Sequence, residues 1–475
     1  MECIDQDLDA HAKKKKLLRL VDEQFLAGQT PDLPKLQLQL RELKLDNVEL
    51  ETGRPRTDAY IVYLFLMLRG FNGGCKDQHA RLLLQESITL RLWLEHLGLE
   101  LPPASTLSEN LNAVSNQTRS LIHQVQLRFI LQEGLDDFQK CFIDSTAVEA
   151  NTNRPTDSTI LVRLIARIRT TGGNLHRLDL PDMNQIGLLE QQEELRRMSQ
   201  QIDFLNGKAR GEAKRKKLYF QLLRRVRRLR RRLLRDLESV RRNLEGRADL
   251  PPSRRLMAQE ALCLIAEDLA AVEQTANVCE RRIMKQEKVP VAEKIISLSD
   301  SDASFIVKGG WNTLVGYRPQ LARSGRGFVT ALVLPSGNAA DSPQLAPMVK
   351  EQITHTGAIP SVVSADDGYS SQEGLQEVRG FGVGVVSISG AKGKKIIEAW
   401  QWKSQPYRQA RAERSAIESL VFTLKEGFNF GEMVRRTHDD VLAEMLEKVL
   451  AYNISQIIRM REKLSELHEM QRAAA

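Results

Sequence analysis

The stretch "QKCFIDSTAVEA", Gln139 to Ala150, breaks a chain that until then reads as helix. It is short, rich in β-forming residues and alternating, which is the pattern of a strand. Asp144 stands inside it, among apolar neighbours where a lone charge is expensive without a partner. Strand signals return only after Pro290. The first strand is thus separated from its sheet-mates by a long helical insertion. In order the chain predicts strand, helical insertion, strand hairpin, helix, strand, helix, strand, helix. That order gives an α/β fold, a mixed sheet with helices on its faces.

Upstream, "DAYIVYLFLMLRG", "KDQHARLLLQESITLRLWLEHLG" and "ASTLSENLNAVSNQTRSLIHQVQLRFIL" are apolar-periodic and helical. Gly53-Arg54-Pro55, Gly70 with Gly73-Gly74, and Pro102-Pro103 separate them. Ser105 or Thr106 is placed to cap the third, with Glu109 completing a capping box. Short helices with tight turns suit a DNA-binding unit of helix-turn-helix type over residues 1–135. A small bundle that only packs on the rest fits the same pattern.

The insertion carries the charge. The chain has 475 residues and a net charge of +8. Lys208 to Arg247 holds 17 basic and 4 acidic side chains, a net of +13, which leaves −5 elsewhere. A polyanion is the natural partner of such a segment. Its apolar positions, Leu218, Leu222, Val226, Leu229, Leu233, Leu237, Val240 and Leu244, recur at about 3.67 residues per turn, the mark of a long, nearly straight helix. Arg224, Arg228, Arg231 and Arg235 lie off this seam as candidate nucleic-acid contacts. A solvated coiled coil is the plainer reading. Gly246 and Pro251-Pro252 end the helix, and the next segment can return antiparallel, making a basic helical hairpin over residues 161–292.

After Pro290, "NTLVGYRPQLARS" and "GRGFVTALVLPSG" look like a hairpin across Gly325 and Gly327. "DSPQLAPMVKEQITHTG" looks like a helix capped by Asp341 or Ser342. "SVVSADDG" and "VGVVSIS" read as strands. "RAERSAIESLVFTLKEGF" reads as a helix, and Asp439 to Arg472 as another. Five cysteines without C-x-x-C spacing argue against a disulfide framework or a zinc site. "SGAKGKK", Ser389 to Lys395, lacks the spacing of a phosphate loop and reads as a basic loop. "IVYLFLML", Ile61 to Leu68, is far short of the roughly 20 residues that span a bilayer. "MECIDQDLDAHAKKKK" has no signal-peptide core. A cytoplasmic protein is expected.

Three acids stand out by location: Asp144 in the first strand, Asp366 at the end of a buried-looking strand, and Glu418 beside the apolar stripe of a helix. Any one of them could simply cap a helix or end a strand. Together, convergent carboxylates without His or Cys suit Mg²⁺ or Mn²⁺. Two such ions can activate a water or 3′-hydroxyl at a phosphodiester. With Arg414 at zero and about 100° per residue, Glu418 falls near 40°, Lys425 near 20° and Arg411 near 60°, so the four share one face. Cations flanking a carboxylate suit metal and phosphate contacts. Plain Arg414–Glu418 pairing within the helix is the alternative.

"FIDSTAVEA", "ADDGYSS" and "RSAIESLVFTLK" resemble the three catalytic stretches of bacterial insertion-sequence transposases of the DDE class. "GNAADSPQLAPM" and "GRPRTDAYIVYLFLMLRG" also resemble segments of that family. The resemblance covers residues 138–160 and 295–430, and more weakly 50–130. It implies an RNase H-like core, in pieces at 138–160 and 293–430, with a C-terminal helical segment at 431–475. It implies that Asp144, Asp366 and Glu418 are catalytic and hold two Mg²⁺ or Mn²⁺ ions. Asp367 takes the variable place of the "A-D-x-G-Y" motif. Arg414 and Lys425 fit the family's Y-x-x-R-x-x-x-E-x-x-x-x-x-x-K spacing and would contact phosphate. Arg411 stands where the family has Tyr. The implied protein is a DNA transposase acting on terminal inverted repeats and target DNA, as a dimer or larger assembly on the nucleoid. A nuclease or resolvase on the same core, and a domesticated DNA-binding relative, are the rivals.

Overall fold

The computed structural model describes residues 59–152, 156–176, 180, 185–206, 211–247, 249–308 and 312–474. The expected turn at Gly53-Arg54-Pro55 lies outside them. In chain order the elements begin with five helices, α1 (Ala59–Phe71), α2 (Asp77–Glu86), α3 (Ile88–His96), α4 (Ala104–Ala113) and α5 (Asn116–Gln132). Strands β1 (Lys140–Ser145) and β2 (Val148–Glu149) follow. Four helices come next, α6 (Asp157–His176), α7 (Gln185–Phe204), α8 (Glu212–Gly246) and α9 (Pro252–Cys279). Then come β3 (Ser304–Lys308), β4 (Asn312–Tyr317), β5 (Gln320–Ser324), β6 (Val329–Val333), α10 (Leu345–Thr356), β7 (Val362–Ala365), α11 (Gln372–Gly380) and β8 (Val385–Ile388). The chain ends in α12 (Ala391–Ile396), α13 (Ala399–Lys403), α14 (Gln405–Glu413), α15 (Ala416–Phe428) and α16 (His438–Ala474). It divides into two units, Thr152–Ser301 and the remainder.

In the larger unit the main sheet runs β6-β5-β1-β7-β8. β1 pairs antiparallel with β5 and parallel with β7; β5 and β6 are antiparallel, and β7 and β8 parallel. β1, β7 and the edge strand β8 are buried on both faces: Cys141, Phe142 and Ile143 on β1, Val363 to Ala365 on β7 and Val386 to Ile388 on β8. Short, continuously buried strands of this kind belong to sheets covered by helices on both sides. α10 lies against β6, β5 and β1; α14 lies against β7 and β8; α15 lies against β1 and β5.

The sequence expectation differs from this in places. The segment from Gln139 to Ala150 is two strands. β1 joins the main sheet, while β2 pairs with β4 in a separate three-stranded sheet, β2-β4-β3. The expected hairpin keeps only β5 and β6. Pro319, which has no N–H to donate, separates β4 from β5, and its carbonyl instead accepts from Thr146 N at 3.1 Å. Ser105 and Thr106 do not cap α4, which starts earlier, behind Pro103. The cap in this region is Ser115, whose hydroxyl accepts from Thr118 N at the start of α5.

Residues Ile61 to Leu68 of α1 are buried all round, as suits a helix that is apolar on every side. α1 packs against α16, as does α5, which also packs against α10. The described N-terminal helices thus form a layer of the same unit as the sheet. Arg119 of α5 and Arg69 of α1 meet the fully buried Glu447 of α16, with Nη2 at 2.9 Å and Nε at 3.6 Å, and Arg435, just before α16, adds Nη2 at 3.0 Å.

The Thr152–Ser301 unit is a four-helix arrangement, α6–α7–α8–α9, in which α9 closes back on α6; the expected helical hairpin is only its second half. From Leu222 to Leu244 the apolar seam of α8 is buried, and Leu218 packs at its edge.

Candidate active site

β1 and β7 run parallel, with Ile143 opposite Ala365. The next residue on each strand is an acid, so Asp144 and Asp366 stand side by side at the carboxyl ends of two central strands. Open α/β sheets place their ligands at this end. The Asp144 carboxylate accepts from Ser145 N at 2.8 Å, and Asp366 accepts from Gly368 N at 2.9 Å. Burial, and then the charge of Asp366, push the Asp144 carboxyl up to about 6. Burial also raises Asp366, against the hydrogen bond from Gly368, with further upward pressure from Asp341. Two acids that resist ionising together form a site that gains by taking up positive charge.

Part of that charge comes from Arg414. Its Nη1 lies 3.5 Å from Asp144 Oδ2, and its Nη2 lies 2.6 Å from Glu418 Oε1. The guanidinium therefore bridges the first and third acids. Glu418 sits in the first turn of α15, 58% exposed, so it is free of the burial that constrains the other two. Lys425, two turns on, donates to Ala147 O at 3.0 Å, which brings it to the β1–β2 connection just beyond Asp144.

The single face expected for Arg411, Arg414, Glu418 and Lys425 is not continuous. The chain breaks between α14 and α15 at Arg414 and Ser415. Arg414, Glu418 and Lys425 still converge on β1. Arg411 lies on α14 and stacks on the Trp402 ring, 4.6 Å from its centroid, away from the acids. Glu413 also turns away, to Lys140 at 2.7 Å.

The two acids of the doublet separate because Asp366 is extended, just past the end of β7, whereas Asp367 opens a short 3-10 turn, Asp367–Tyr369. Asp366 lies beside Asp144. Asp367 faces the other way, where its Oδ1 accepts from Lys392 N and Gly393 N, each at 2.8 Å. It caps α12.

A supporting network was not legible in the sequence. Arg318 donates to Ser145 Oγ at 3.1 Å and also pairs with Asp341. Asp341 accepts from Gln320 Nε2 at 3.0 Å, and buried Tyr369 donates its hydroxyl to Gln320 Oε1. This occupies the Asp341 carboxylate, so neither it nor Ser342 makes the expected cap of α10. A short 3-10 turn, Ser342–Gln344, leads into that helix instead. Ser145, Asp341 and Tyr369 lie in three separate stretches, and no spacing rule links them to Arg318 and Gln320.

Among the described residues no three of His, Cys, Asp and Glu stand close enough to form a ready-made metal cage. No described helix is long and apolar enough to cross a membrane. The chain matches no curated protein and no solved structure. Residues 301–454 match the family described as Transposase DDE domain. The matched span holds β3 to β8, Asp366 and Glu418, while Asp144 precedes it on β1. The stretch from 301 to 454, about a third of the chain, is matched as a transposase DDE domain, which supports a transposase of the DDE class.

Proposed function

We propose that the protein binds the terminal inverted repeats of a mobile element, hydrolyses phosphodiesters at its ends and joins the 3′-hydroxyls to target DNA. The observation that carries this reading is the parallel register that sets Asp144 beside Asp366, with Glu418 tied to the same place through Arg414. The sheet order, with its central parallel pair and antiparallel flank, supports an RNase H-like core. An all-oxygen donor set suits hard divalent cations, and the raised carboxyls of Asp144 and Asp366 fit a cation-binding role. Asp144, Asp366 and Glu418 would hold two Mg²⁺ or Mn²⁺ ions. Bound there, the ions supply activation of the attacking oxygen and stabilisation of the leaving one. Arg414 and Lys425 hold the phosphate against β1. The N-terminal helices and the exposed arginines of α8 grip DNA as well. Two ends are cut together, so the working form is a dimer or larger, acting on DNA in the cytoplasm.

The test is cleavage and joining of end-bearing DNA with Mg²⁺. Asp144→Asn, Asp366→Asn and Glu418→Gln should each reduce activity by about 10³-fold or more, since each removes several kcal/mol of charge stabilisation. Asp367→Asn should stay within about tenfold of wild type, because an amide oxygen can still accept from the two N–H groups. Loss of activity in Asp367→Asn alone would overturn the assignment. Cleavage without joining would leave a nuclease.

A further inference from the structure

The basic loop "SGAKGKK" has a structure of its own. Ser389 N donates to Ala365 O at 3.0 Å, so the chain leaves β8 level with the strand end that carries Asp366. α12 starts two residues later. Gly390 has φ +99, and a Cβ there would lie 2.4 Å from the Asp367 carboxyl carbon. Gly393 is buried, and a Cβ there would lie 2.4 Å from Ile388 O. Only glycine permits this approach at either position. The helix is thus seated on β8 through Gly393 and fastened to the acid doublet by Asp367.

With Gly393 facing the sheet, Lys392, Lys394 and Lys395 occupy the other sides of the helix at about 100° per residue. All three are exposed, and none has an ion pair among the described residues. Three unpaired cations fixed next to an active site for phosphodiesters are a phosphate-binding surface. The surface lies past β7 and β8. Glu418 and Lys425 come from α15, and Arg414 from the turn just before it; α15 packs on the opposite side of Asp366, against β1 and β5. The acids are therefore flanked by two separate cationic surfaces. Lysine ammoniums are compact point charges on flexible stems, which pair with backbone phosphates without a fixed geometry. They suit a DNA whose sequence is not specified.

We propose that α12 is the platform for target DNA, gripping its backbone through Lys392, Lys394 and Lys395 while the element's end lies along α15. This rests on the transposase reading. The test uses the full chain carrying Lys392→Gln, Lys394→Gln and Lys395→Gln together; the residues are exposed, so a thermal melt should match wild type. Binding to a random-sequence duplex is measured against salt. The slope of log K against log salt should shrink by about 2.7, roughly 0.9 for each phosphate contact. An unchanged slope overturns the proposal. In a joining assay with pre-cut ends, strand joining should fall at least about tenfold further than end cleavage. Equal losses would mean that α12 serves the ends, which also overturns it. Failure of the transposase reading would look different: wild type would neither cleave nor join end-bearing DNA, while the slope difference persisted.

Discussion

Asp366 and Asp367 are adjacent and identical, yet their environments assign them different work. Asp366 faces Asp144, its carboxyl raised by burial. Asp367 satisfies the first N–H groups of α12, which have no partner within the helix. Asp367→Ala should therefore destabilise that helix by about 1 kcal/mol, and Asp367→Asn by much less. Hydrogen exchange at Lys392 and Gly393 separates the two. Equal protection in both variants would mean that the cap contributes nothing. His123 is a second residue whose setting decides its state. It is fully buried, its Nε2 lies 2.9 Å from Val329 O, and burial together with nearby His355 pushes its pKa down to about 3. In the unfolded chain it would titrate at the ordinary imidazole value of 6.5. Between those values the unfolded state binds the extra proton, so the contribution of His123 is whole above about 6.5 and is lost as pH falls. Urea midpoints across pH 4 to 6.5 should decline with acidity, and His123→Gln should flatten the slope by about 1.4 kcal/mol per pH unit. A variant as acid-sensitive as wild type would refute this.

At the scale of elements, α8 sorts its arginines by partner. Arg225 pairs with Glu194, Arg227 with Glu280, and Arg230 with Glu273 at 3.1 Å, all on or beside neighbouring helices. Arg224, Arg228, Arg231 and Arg235 are exposed and make no ion pair among the described residues. At about 100° per residue those four fall within roughly 60° of one another, a single stripe. Replacing all four with Gln should leave the melting temperature within a few degrees and reduce the salt dependence of DNA binding by up to about 3.6 in slope. Replacing Arg227 and Arg230 should instead lower stability, by about 1 kcal/mol or less for each half-exposed pair. If both sets weaken DNA binding alike, the stripe has no special role. The 3.67-residue seam was readable because burial of one helix face depends on local spacing alone. Which arginines remain available was not, because their partners come from α7, α9 and the residues that follow α9.

Across the larger unit, the buried carboxylate of Glu447 joins segments far apart in the chain. It balances Arg119, 328 residues away, together with Arg69 and Arg435. Glu447→Gln leaves buried arginines short of a counter-charge and should destabilise the unit by about 3–5 kcal/mol. A thermal melt unchanged by that substitution would show the cluster to be dispensable. The same distance in sequence explains what could and could not be read beforehand. Apolar periodicity, glycine and proline punctuation, the basic segment and the carboxylates of "FIDST" and "ADDGY" are local properties, and by themselves they determined the helices, most strands and the candidate acids. The capping, the extent of the hairpin and the four-helix form of the insertion were misjudged where a neighbour in space outcompeted a neighbour in sequence. Only the tertiary structure decided that β1 pairs with β7 in the register that sets Asp144 beside Asp366, 222 residues later. It likewise decided that Arg414 bridges two acids while Arg411 stacks on Trp402, and that Asp367 builds α12. Strand register and charge pairing are set by which surfaces meet when the chain closes, and no window of sequence contains both partners.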